Sequence, residues 1–120
     1  MDTITKKRAQ RFLYLKYLYE LTGGDKLKFV QRLDAGRDLG WDEETTEDTI
    51  SYLRDEKLIK TITATTASIT HLGVTTIERA LSQPEMSTEY FPPTNTITII
   101  NGDVTVGGDF IGRDKTVLTK

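Results

Sequence analysis

The chain has 120 residues, of which 37% are apolar and 28% charged, and a formal net charge of −2. It has no cysteine and a single histidine, His71, which excludes a disulfide framework, a thiolate metal site, a cysteine nucleophile and a multi-histidine zinc site within one chain. No apolar run approaches the roughly 20 residues of a bilayer span and no basic-then-apolar leader opens the chain, so a cytoplasmic protein about one domain long is expected.

Thr5 to Leu21 has the pattern of a first helix, capped by Thr3 or Thr5 and ended by Gly23-Gly24. At about 100° per residue, Phe12, Leu15 and Tyr19 share one face, while Tyr14, Tyr17, Leu18 and Leu21 share the opposite one. A surface helix needs one apolar stripe. Either the domain wraps both sides, or one side meets a second chain or the C-terminal segment, and Tyr14, Tyr17, Leu18 and Leu21 are the candidate contact. Asp25 is placed to cap a second helix over Lys26 to Leu39, with Phe29, Val30 and Leu33 inward and Gly40 as its left-handed terminator. Asp42 caps a third helix running to about Lys57, with Ile50, Leu53 and Leu58 inward and Thr46 and Thr49 beside them. Leu58 to Thr63 and Ser68 to Leu72 alternate as the two strands of a hairpin, placing His71 at a strand end. Val74 to Leu81 returns to helical spacing until Pro84 stops it.

Pro84, Pro92 and Pro93 then mark a change of texture. Residues 1–82 are expected to form a helical domain, 83–95 a linker, and 96–120 a β-rich tail. The fold class expected is α+β.

Charge is polarised along the first half. Met1 to Leu33 carries eight basic and three acidic residues, whereas Asp34 to Glu56 carries nine acidic and two basic ones. Such an arrangement bears on partners more than the near-neutral total does.

The order helix, helix, helix, hairpin, helix resembles a winged helix-turn-helix domain over about Lys6 to Leu81. The resemblance is carried by Ser51-Tyr52-Leu53-Arg54-Asp55-Glu56-Lys57-Leu58-Ile59 and by Ile69-Thr70-His71-Leu72-Gly73-Val74-Thr75-Thr76-Ile77-Glu78. It implies that the third helix reads the DNA major groove while the hairpin wing touches the backbone. The outward face of that helix is Glu44, Glu47, Asp48, Ser51, Tyr52 and Asp55, with Arg54 the only basic residue near it. Duplex DNA presents a phosphate about every 1.7 Å of axis, and such a face repels it. Winged helices also serve as protein-docking modules, so Glu44, Glu47, Asp48, Tyr52 and Asp55 are read as a protein interface. Lys6, Lys7, Arg8 and Arg11 remain the route to nucleic acid under the alternative reading, a multimeric DNA-binding regulator. The same basic cluster is also suited to meet the acidic third helix of another chain.

The tail offers strands at Thr96 to Ile100, Val104 to Val106 and Phe110 to Ile111, with a turn at Asn101-Gly102. A ribbon this small cannot hide its apolar residues within itself. It stacks with copies of itself, docks on its own domain, or is disordered or ordered by a partner. Stacking between chains is the leading expectation, through Ile97, Ile99, Val104, Val106 and Phe110, because Gly102-Asp103-Val104 recurs as Gly108-Asp109-Phe110. Gly102 to Lys115 resembles glycine-aspartate β segments attached to bacterial signalling and conflict-system proteins, which implies an adaptor or assembly role.

No catalytic constellation emerges. Gly107, Gly108 and Gly112 lack the lysine and helix of a phosphate loop. Asp103, Asp109 and Asp114 do not have calcium-loop spacing. The pairs Glu43-Glu44 and Glu47-Asp48 lie on a solvated helix, not in a cleft that raises a pKa. The expectation is therefore a non-enzymatic interaction module without cofactor or metal, self-associating through its C-terminal β segment.

Overall fold

The computed structural model of the chain describes residues 3–107. In order, α1 (Thr3–Thr22), β1 (Val30–Gln31), α2 (Arg32–Asp38), α3 (Glu43–Asp55), β2 (Ile59–Thr61), β3 (Thr66–Ile69) and α4 (His71–Ser82) precede a 3-10 turn (Thr94–Thr96), β4 (Ile97–Ile100) and β5 (Asp103–Val106). The fold is α+β. One antiparallel sheet has the order β1-β3-β2, and β4 and β5 form a separate antiparallel pair.

α1 is the axis of the molecule. It contacts α2, α3, α4, β1, β3 and β5, and Ala9, Phe12, Tyr14, Leu15 and Leu18 are all buried along it. A helix enclosed on several sides needs no single apolar stripe, which accounts for its two apolar faces. The domain wraps both. Tyr14 and Leu18, read from sequence as a protein contact, are fully buried in the chain's own core, and the Tyr14 hydroxyl donates to the Arg32 carbonyl at 2.9 Å.

The second helix is shorter than its expected span. It begins at Arg32, and residues 26–29 form a turn leading into β1. Three interactions, one local and two with β3, outcompete the helix. The Asp25 carboxylate accepts from the Leu27 N–H at 2.8 Å, and the Lys28 N–H donates to the Asp25 carbonyl, which closes a single turn. Val30 and Gln31 pair with Ala67 and Thr66 on the edge of β3. The Ser68 hydroxyl contacts the carbonyl oxygens of Lys26 and Lys28, which a helix would have used for its own ladder. Phe29, expected in the core, is consequently exposed.

α3 starts at the expected cap, where the Asp42 carboxylate accepts from the Thr45 N–H at 2.8 Å. Its Thr46, Thr49, Ile50 and Leu53 are buried. Lys57 takes φ 65° just after it, and the Leu58 N–H returns to the Leu53 carbonyl. Thr70 ends the hairpin rather than continuing it. Its hydroxyl oxygen accepts from the Gly73 N–H at 3.0 Å, so His71 opens α4 instead of closing a strand.

The proline-containing stretch is fastened to α1 and is not a free spacer. Phe91 is fully buried, its ring edge-on to Phe12 at 5.4 Å and 68°. The Arg8 guanidinium donates to the carbonyls of Thr88, at 2.9 Å, and Tyr90, at 3.2 Å.

The β4–β5 hairpin turns at Asn101-Gly102 (φ 52° and 84°) and pairs Ile97 with Val106 and Ile99 with Val104. Those four side chains share one face, and β5 lies against α1. Val104 and Val106 are buried, and Ile97 and Ile99 are partly buried against the same core. Where stacking between chains was expected, Val104 and Val106 are hidden by their own domain, with Ile97 and Ile99 packed alongside. A small ribbon gains the same burial from an available helix face as from another copy, without the loss of translational freedom that association costs. The third expected strand, with Phe110, lies outside the described residues.

Candidate functional site

The basic cluster at the start of α1 is largely committed within the chain. Arg8 holds the strap at Thr88 and Tyr90. Lys6 approaches the Asp103 carboxylate at 3.8 Å, which ties α1 to the hairpin. Arg11 lies over the Tyr52 ring at 3.4 Å, a cation–π contact between α1 and α3. Partial burial lowers the Arg11 pKa, while Tyr52 and Glu56 pull it back up. Lys7 alone of the four is exposed with no partner among the described residues. The basic start of α1 and the acidic α3 therefore lie side by side within one molecule. They flank a groove of about 580 Å³ lined by Lys6, Lys7, Arg11, Asp48, Tyr52 and Asp55.

On α3, Glu44, Asp48 and Asp55 are exposed. They recur at helical spacing and share one face. Glu47 differs, because it pairs with Arg32, whose guanidinium also donates to the Ala64 carbonyl at the turn of the β2–β3 hairpin. This bridge closes one end of a second cleft, of about 500 Å³, between α3 and that hairpin, lined by Glu47, Asp48, Ser51, Arg54, Thr61 and Thr63. The outer face of α3 is thus a ridge between two grooves, with Asp48 and Ser51 on both.

The remaining first-helix residues fall apart as a contact. The Tyr17 hydroxyl donates to the Asp38 carboxylate at 2.7 Å, which raises its pKa, and Leu21 is exposed near the end of α1.

Three features carried no signal in local pattern. Leu27 and Phe29 are 81% and 58% exposed, the most exposed apolar pair close together in the sequence. Arg32 bridges α3 and the hairpin. The Trp41 indole N–H is buried without a partner beside a cleft of about 340 Å³ at the start of α3. Among the described residues no group of acidic or histidine side chains is arranged to hold a metal ion, and no helix is long and apolar enough to cross a membrane.

What this surface offers chemically is charge and shape: exposed carboxylates on a rigid helix, flanked by two open grooves. No protein-family model matches the chain, and neither a curated protein nor a solved structure matches it.

Proposed function

We propose that the chain is a non-catalytic, winged-helix-like protein-interaction module whose working face is the acidic ridge of α3, taking a partner that presents basic side chains. The order α1, α2, α3, hairpin, α4 supports the winged-helix reading, with β2–β3 as the wing and a two-residue β1 added to its sheet. The observation that carries the function is that Glu44, Asp48 and Asp55 stand exposed on the helix a winged domain would use for reading, while Arg8 and Arg11 are spent inside the fold. That balance repels a phosphate backbone and attracts a basic protein surface.

Fluorescence anisotropy with a labelled lysine- and arginine-containing peptide and with a labelled DNA duplex, both at low salt, tests the reading. Salt-sensitive peptide binding that is lost in Glu44→Lys/Asp48→Lys is expected, with no binding of the duplex. Duplex binding weakened by Lys6→Gln/Lys7→Gln would replace this reading with a DNA-binding regulator.

A further inference from the structure

We propose that the basic partner is a second copy of this chain, which docks its Lys26-Leu27-Lys28-Phe29 turn on the acidic ridge of α3. The inference rests on the reading of that ridge as a protein-docking face. Leu27 and Phe29 stand out from the surface, 81% and 58% exposed. The turn is held firmly. Asp25 caps it from one side, and from the other Ser68, only 1% exposed, spends its hydroxyl on the carbonyls of Lys26 and Lys28. A pair of apolar side chains presented on a preorganised turn loses little entropy when covered, which is how an interface anchor is made.

Charge selects what covers it. Lys26 and Lys28 flank the two apolar side chains, and among the described residues neither forms an ion pair. Glu44, Asp48 and Asp55 on α3 are likewise without cationic partners there. Turn against turn would set lysine against lysine, so a symmetric contact through this patch is disfavoured. Turn against ridge satisfies both. Two lysines with Asp25 beside them fall short of the four to eight clustered cations by which a segment is read as binding anionic lipid. Because the two surfaces differ, the contact is head-to-tail and propagates into a ring or an open chain.

The test is sedimentation velocity on the full chain and on two variants, one with a disabled turn (Lys26→Gln/Leu27→Ser/Lys28→Gln/Phe29→Ser) and one with a reversed ridge (Glu44→Lys/Asp48→Lys). The wild-type chain is expected to form concentration-dependent multimers that weaken about tenfold or more between low and high salt. Each variant alone should be monomeric. Mixed, they should form a dimer and nothing larger, since each keeps the one surface the other lacks. Far-ultraviolet circular dichroism confirms that both variants remain folded. Wild-type monomers at high concentration and low salt would overturn the proposal, as would multimers indifferent to the turn variant. So would a monomeric chain that binds phosphatidylserine vesicles through Lys26 and Lys28. If one of these outcomes is found while the turn variant still captures the basic peptide and the ridge variant does not, the reading of α3 stands and only the identity of its partner has failed.

Discussion

Gly40 and Gly102 meet backbone against backbone. Gly40 follows the end of α2 with φ 88°, and Gly102 forms the turn of the β4–β5 hairpin with φ 84°. A Cβ added at Gly40 would come within 2.8 Å of the Gly102 Cα, and one added at Gly102 would collide with the Gly40 carbonyl oxygen. Both positions also hold a backbone conformation that side chains resist. Gly102→Ala is therefore expected to destabilise the fold by about 2 kcal/mol or more and to lift the hairpin turn from the α2–α3 connection. Gly23→Ala is the control. It shares the positive φ, 66°, but meets nothing within 4 Å, so it should cost only about 1 kcal/mol. Urea unfolding followed by Trp41 fluorescence reads both, since Trp41 adjoins Gly40.

The strap over α1 gives a second contrast. Phe91→Ala removes a fully buried ring and its contact with Phe12, and a cost of about 3–5 kcal/mol is expected. Arg8→Met keeps most of the side-chain bulk but removes the donors to Thr88 and Tyr90, and should cost about 1–3 kcal/mol. Limited proteolysis separates the two roles. Arg8→Met should expose residues 83–90 to cleavage while the rest stays resistant, whereas cleavage throughout would show that Arg8 supports the whole core.

Acid and alkaline stability should depend on different residues. The Asp42 pKa is lowered by the backbone hydrogen bond from Thr45, so its contribution is present above the ordinary carboxylate value of about 4 and is lost as pH falls through the depressed folded value. Asp42→Asn keeps a capping oxygen without the titration, and its urea midpoint should fall less than that of the wild type between about pH 6 and about pH 3. Burial raises the Tyr14 pKa, so the neutral hydroxyl is favoured in the folded state. Stability is then full below the ordinary phenol value of about 10 and declines as pH rises towards the elevated folded value. Tyr14→Phe loses the hydrogen bond to the Arg32 carbonyl at neutral pH but should flatten the alkaline decline.

Features set by neighbours along the chain were legible in the sequence. Asp42 capping α3, the inward Ile50, Leu53 and Leu58, and the Asn101-Gly102 turn all depend on residues a few positions apart. The surplus apolar surface of α1 was also visible, but its occupants were not, because periodicity records that a face is apolar without recording what covers it. Arg8 finds its acceptors 80 and 82 positions away. The turn at residues 26–28 owes its form to Ser68, 40 and 42 positions on, so helical spacing in that stretch misleads. The candidate surface was half legible for the same reason. The carboxylates of α3 follow helical spacing, but that Arg11 lies on Tyr52 and leaves the ridge acidic is a tertiary fact.

Assembly through the C-terminus is now constrained by where the hairpin spends its apolar residues. Val104 and Val106 are buried, Ile97 and Ile99 pack against the same core, and of the β4–β5 residues only Ile100 presents a large exposed apolar side chain. A single isoleucine, worth roughly 1.5–3 kcal/mol on full burial, does not offset the cost of bringing chains together. A chain ending at Gly107 is therefore expected to show the same species as the 120-residue chain in multi-angle light scattering at matched concentration and salt. Shortening to Ser82 is no substitute, because it also removes Phe91 and the hairpin from the core. A smaller species from the chain ending at Gly107 would assign assembly to the segment that follows, with Phe110 and Ile111 the first residues to substitute.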